Sequence, residues 1–170
     1  YQETMGGKLN EPQQAFGRAV GSMPAYAELP LGPLASKVKN ALVSLDGGAL
    51  RPGLIELLSF VHVAIVAERL CEQMSLTHHE MLIFLKSKGV KIGGVTTGSK
   101  GMLWYDERGD VQHLPSLSVP KDKIIDTSGA GDVFHGAYCD SYLQRPDDPW
   151  RSHFVFARAA AAHKIQRLGN

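Results

Sequence analysis

Between residues 37 and 170, short apolar runs alternate with stretches whose apolar residues recur every three or four positions. Ala41-Leu42-Val43-Ser44-Leu45 is such a run, closed by Asp46-Gly47-Gly48, and predicts a buried strand followed by a turn. Arg51 to Phe60 carries Leu54, Leu57 and Leu58 at helical spacing, and Val61 to Ala67, rich in Val and Ile, predicts a second strand. In Thr77-His78-His79-Glu80 a hydroxyl stands three residues before a carboxylate, the pairing that satisfies the first free amides of a helix. The helix is predicted over Met81 to Lys88 with Gly89 as its stop, and Val90 to Thr96 predicts a third strand ending at Gly98.

Met102 to Tyr105 and Val111 to Leu114 flank the polar turn Asp106-Glu107-Arg108-Gly109-Asp110 and predict an antiparallel hairpin. Gly129 to Leu143 predicts a helix stopped before Pro146. A last helix is predicted with Asp148 as N-cap, Pro149 at its first position and an Ala-rich interior from Ala157 to Ala162. Strands alternating with helices predict an α/β fold: a mainly parallel, doubly wound sheet with helices on both faces. Residues 1–36, broken by Gly6-Gly7, Pro12, Pro24, Pro30 and Pro33, carry no regular assignment.

Composition narrows the function classes. A net charge of +1 leaves no electrostatic footprint for nucleic acid, and no apolar run approaches the roughly 20 residues that span a bilayer. Cys71 and Cys139 are too few for a disulfide framework and, with no visible secretion signal, predict reduced thiols in the cytoplasm. His78 and His79 are neighbours in sequence and point apart on a helix, so they predict no shared metal site.

Chemistry concentrates in Ile124-Ile125-Asp126-Thr127-Ser128-Gly129-Ala130-Gly131-Asp132-Val133-Phe134-His135-Gly136. An apolar segment runs into a small-residue turn and then a helix. Gly129, Ala130 and Gly131 leave their backbone N–H groups uncovered, and amides in the first helical turn have no partner within the helix. With the helix dipole they form an anion hole. Asp132, in the same turn, carries a carboxylate into that space. Donors for a moving phosphoryl group beside a base for an attacking hydroxyl are what phosphoryl transfer requires. The residues alone leave a second reading open, in which the glycines only permit a tight turn and Asp132 is a charge at a helix start. The dinucleotide fingerprint fails because no Gly occupies its third position. Gly93 and Gly98 are spaced like a phosphate-binding P-loop, but Ser99-Lys100 reverses the required order.

Asp126-Thr127-Ser128-Gly129-Ala130-Gly131-Asp132, with Phe134 and Gly136, resembles the second signature of the ribokinase (PfkB) family of sugar kinases, D-T-x-G-A-G-D-x-F-x-G. The resemblance covers roughly residues 40–170, including Leu45-Asp46-Gly47, the segment Val95 to Gly101, the hairpin and the Ala-rich helix Phe156 to Gly169. It implies Asp132 as catalytic base, and Gly129, Ala130 and Gly131 as the anion hole. Thr96, Gly98 and Gly101 become the turn bordering ATP, and Arg158 a residue near the adenine. Asp126 and the Ser128 carbonyl become part of a monovalent-cation (K⁺) site. Read without the family, the 96–101 turn is a Gly-rich strand end and Arg158 an exposed helix residue.

The resemblance implies ATP-dependent transfer of the γ-phosphoryl group to an alcohol of a sugar-like substrate, with Mg²⁺ as cofactor. Expected partners are that small molecule and a second copy of the chain. Residues 37–170 become the carboxyl-terminal, nucleotide-binding part of a kinase domain truncated at both ends. Two departures stand out. Where the family has N-x-x-E, this chain has Ala67-Glu68-Arg69-Leu70, leaving Glu68 or Glu72 as substitutes. The family's Gly-Gly-Asn signature and most of its sugar contacts have no counterpart in the sequence. Alternatives are therefore a non-catalytic nucleotide- or partner-binding fragment, or a sister kinase of nucleosides or vitamins.

Overall fold

The structure is a computed structural model that describes residues 42–169; residues 1–36 and the predicted strand start at Ala41 lie outside them. The elements in chain order begin with β1 (Ser44–Gly47), α1 (Leu54–Leu57), β2 (Val63–Ala67) and α2 (Glu68–Gln73). There follow α3 (His78–Ser87), β3 (Ile92–Thr96), β4 (Met102–Tyr105), β5 (Val111–Leu114), α4 (Ala130–Gln144) and α5 (Trp150–Lys164). The strands form one sheet in the order β1-β2-β3-β4-β5. β1, β2 and β3 are parallel, β4 runs against β3, and β5 returns against β4. All strands but β4 therefore point the same way, and the sheet is mainly parallel.

The strand sequences follow from burial on both faces. Within Val63-Ala64-Ile65-Val66 of β2, Val63 and Ile65 pack on one side with Ile92, Trp104, Phe134, Tyr138 and Phe154. Ala64 and Val66 pack on the other with Leu58, Leu70, Met81, Leu85 and Val95. Successive side chains alternate across a sheet, so a strand covered on both faces must be apolar throughout. α1, α2 and α3 cover one face and α4 with α5 the other. The latter pair is locked by aromatic contacts, with Phe154 edge-on to Trp104 at 5.1 Å and to Tyr138 at 5.5 Å between ring centroids.

The hairpin strands fall where the pattern puts them, and Thr77 and Glu80 close the predicted capping box. Several boundaries move, β2 and β3 among them, which start at Val63 and Ile92 rather than at Val61 and Val90, and three shifts have an identifiable cause. β1 starts later than expected and runs through Asp46 and Gly47, because the parallel ladder pairs Ser44 to Gly47 with Val63 to Val66 and overrides the local turn signal. α3 begins at His78, directly after its cap. α5 begins at Trp150. Pro149 is extended there (φ −59°, ψ 141°) and its carbonyl accepts the first bond from Ser152, while Asp148 turns its carboxylate toward Arg145 at 3.5 Å instead of capping the helix.

Inside the α4–α5 interface His153 is fully buried, with Nδ1 bonded to the Ser141 hydroxyl at 3.0 Å and Nε2 without a partner among the described residues. Burial pushes its pKa down, so the folded chain holds it neutral. That contribution to stability is complete above the ordinary imidazole value of about 6.5 and is lost as pH falls from there through the folded value. Between about pH 7.5 and about pH 5 the melting temperature of the wild type should therefore fall further than that of His153→Gln, whose amide can still bond Ser141. Parallel falls in thermal melts of the two proteins would place the acid sensitivity elsewhere.

Candidate active site

The parallel strands end on one side of the sheet, where crevices in α/β folds collect ligands. After β3, Gly98–Lys100 form a single 3-10 turn. Thr97 closes it, its amide and hydroxyl both donating to the Gly101 carbonyl at 2.8 and 3.0 Å. Gly101 has φ +96°, and a Cβ there would lie 2.1 Å from the Leu114 carbonyl oxygen, so only glycine fits. Facing this turn is a cavity of about 660 Å³, within the range of small-molecule sites. Its walls include Thr96, Gly98 and Gly101 from the turn, Ala130 and Gly131 from the start of α4, and Arg158 from α5. Leu117, Val119, Ile124 and Ile165 make one wall apolar. Arg158 donates to the Pro115 carbonyl at 2.9 Å, which ties α5 to the irregular segment that follows β5.

α4 starts from Gly129, whose positive φ of 71° turns the chain into the helix. The Ala130 amide donates to the Thr127 carbonyl at 3.2 Å, so this member of the expected anion hole is engaged by the turn itself. The amides of Gly129, Gly131 and Asp132 have no acceptor among the described residues. Asp132 is exposed in the same turn. Beside it lie two groups that sequence reasoning passed over, Asp46 at the end of β1 and His135 one turn along α4. Desolvation, with the Asp132 charge behind it, raises the Asp46 pKa against the pull of His135. Desolvation lowers His135 against the two carboxylates. The Tyr138 hydroxyl bonds both His135 Nδ1 at 2.8 Å and the Ser44 hydroxyl at 2.7 Å, tying α4 to β1. An Asp in an apparent turn and a His on a helix gave no signal of this grouping, because β1 and α4 are about ninety residues apart in the chain.

Asp126 anchors the turn before α4. Its Oδ1 accepts from the Ser128 amide at 2.9 Å, and its Oδ2 from Lys164 Nζ at 3.1 Å and the Gly169 amide at 3.3 Å. Lys164 Nζ also donates to the Asp126 carbonyl at 3.1 Å. The Ser128 amide first, and the Lys164 ammonium second, hold the Asp126 carboxyl well below the usual carboxylate range.

Residues 44–170 match the pfkB family of carbohydrate kinases. The chain belongs to this family. Deoxyribokinase of Salmonella typhi is 41% identical over 63 residues, 37% of this chain and 19% of that protein. The crystal structure of ribokinase from Thermotoga maritima superposes with a TM-score of 0.66 at 28% identity, covering 80% of this chain and 46% of that one. Ribokinase of Arabidopsis thaliana, solved with ribose and ATP, gives a TM-score of 0.63 at 27% identity over 80% of this chain and 46% of its own. The chain thus spans about half the length of the ribokinases whose fold it shares.

Within this pfkB chain, Thr96, Gly98, Gly101, Ala130, Gly131 and Arg158 meet around one cavity, with Gly129 and Asp132 flanking its α4 end. Asp126 and Ser128 do not line the cavity but brace it from behind. Glu68, one of the two substitutes for the missing N-x-x-E carboxylate, is paired with His78 Nε2 at 3.0 Å, and neither Glu68 nor Glu72 reaches the cavity wall. Among the described residues no group of three or more His, Cys, Asp or Glu side chains gathers around a metal position. A Mg²⁺ here would be held largely by phosphate oxygens and water.

The Gly101 geometry makes a separable prediction. Gly101→Ala forces a side chain against the Leu114 carbonyl and should cost at least about 1–3 kcal/mol, read as a lowered midpoint of chemical unfolding. Gly131→Ala, with nothing within 4 Å of the added carbon, should unfold like wild type.

Proposed function

We propose that this chain binds ATP in the cavity between the Thr96–Gly101 turn and the start of α4, and serves phosphoryl transfer to an alcohol of a sugar-like substrate. The carrying observation is the set of unengaged amides at Gly129, Gly131 and Asp132, opening beside an exposed carboxylate at the mouth of a nucleotide-sized cavity. The apolar wall around Leu117, Val119 and Ile165 suits a purine, with Arg158 at its edge. The amides would hold the charge that spreads over the moving phosphoryl oxygens. Asp132 would orient the acceptor hydroxyl and take its proton. Mg²⁺, carried on the phosphates, supplies charge neutralisation when bound. A second copy of the chain and a cytoplasmic setting belong to the same reading.

The pairing of Glu68 with His78 favours a second reading, in which nucleotide is bound but not turned over. The two readings part at Asp132. If it is the base, Asp132→Asn lowers kcat by about 100- to 10,000-fold and leaves ATP affinity nearly unchanged, since the backbone donors stay in place. If Asp132 is only a charge at a helix start, the variant loses about 0.3–1 kcal/mol of stability and keeps its turnover. Calorimetric titration with MgATP tests the common ground. Heat of binding, with slowed amide exchange at Gly129 to Asp132, is the expected result, and its absence at millimolar nucleotide would end both readings.

A further inference from the structure

A monovalent cation at Asp126 and the Ser128 carbonyl is what the family signature implies, yet the described residues do not fit one. The Asp126 carboxylate has no idle oxygen: Oδ1 takes the Ser128 amide, and Oδ2 takes both the Gly169 amide and Lys164 Nζ. The Asp126 carbonyl, a natural cation ligand, also accepts from Nζ. The Lys164 side chain is only 6% exposed, so its charge is neither solvated nor free to swing away. A second cation against the same oxygens would meet a full positive charge at close range in a poorly solvated place, where like charges repel strongly.

An ammonium and an alkali cation have the same charge and seek the same oxygen ligands, but the lysine is covalently delivered and cannot be diluted away. It comes from the last turn of α5. The neighbouring Ile165 carbonyl accepts from the Ile125 and Asp126 amides at 2.8 and 3.2 Å, so charge and backbone together pin the segment that leads to Gly129. We propose that Lys164 is a built-in replacement for the monovalent cation: its ammonium holds the Asp126–Gly129 turn, and so the free amides at the start of α4, without potassium. Lys164 is a positioning residue, acting through Asp126. The consequence for nucleotide affinity rests on the proposed function, whereas the consequence for the turn does not.

The test compares the 170-residue chain in lithium chloride and in potassium chloride at equal ionic strength. Amide exchange is read at Ile125, Asp126, Ser128 and Ala130, whose amides are hydrogen-bonded, and ATP affinity by calorimetry. The wild type should show the same exchange rates and the same affinity in both salts. Lys164→Ala, which leaves room for an ion, should exchange at least about tenfold faster in lithium, as a local opening, and recover in potassium or ammonium chloride. Lys164→Met, which keeps the bulk without the charge, should stay fast in every salt. Potassium dependence in the wild type would overturn the proposal. So would Lys164→Ala exchanging like wild type in lithium. An Ala variant that no cation rescues would reduce Lys164 to a structural tether and overturn it too. If neither variant folds, the wild-type comparison decides alone. Should ATP bind in no salt, the proposed function falls while the exchange rates still decide this proposal.

Discussion

The contact between the Lys164 ammonium and Asp126 joins the end of α5 to the turn that launches α4, and the geometry of the site depends on it. Lys164 is drawn into the protein and Asp126 partly so, and the carboxylate supplies the counter-charge of the buried ammonium. A buried charge that loses its partner is far costlier than an exposed pair that separates, because no water takes the partner's place. The same carboxylate collects the Ser128 and Gly169 amides, so one side chain coordinates three stretches of backbone. This clamp lies directly behind the turn that leads to Gly129, while the amides of Gly131 and Asp132 have no acceptor among the described residues.

Stability comes from a different source. Fully burying a Val, Leu, Ile, Phe or Met side chain contributes about 1.5–3 kcal/mol, whereas an exposed ion pair such as Arg145–Asp148 contributes about 0–1 kcal/mol. The two apolar faces of the sheet therefore dominate, and polar contacts are spent on placement. Tyr138 combines both roles. Its ring is buried against Phe154 and Phe134, and its hydroxyl reaches from Ser44 on β1 to His135 on α4. Burial raises the Tyr138 pKa, so the hydroxyl stays protonated and able to bridge.

As a member of the pfkB family, the chain keeps the small-residue helix start and alters what surrounds it. Glu68, just after β2, is engaged by a histidine, and a lysine ammonium bonds the Asp126 carboxylate behind the turn. Both changes leave the backbone donors untouched. Amides at a helix start belong to the main chain and persist under almost any side-chain substitution nearby, whereas ligands made of side chains can be exchanged one at a time.

The α/β class, the hairpin, the capped helix α3 and the helix start behind Gly129 with its uncovered amides were legible in the sequence. Each rests on local rules: the two-residue period of strands, the reach of a Thr hydroxyl to a neighbouring amide, and the absence of side chains over helix-start donors. The end of β1 was misjudged because a turn signal at Asp46-Gly47 was outweighed by pairing with a strand nearly twenty residues away. The start of α5 moved because Arg145 drew Asp148 away from the cap. Lys164 had no role assigned from the sequence, and nothing within a few positions of it indicated a carboxylate thirty-eight residues back. Long-range electrostatic partners are chosen by which surfaces the hydrophobic faces bring together. The sequence by itself therefore determined the elements and the uncovered amides of the helix start, while only the tertiary packing decided which charge stands behind it.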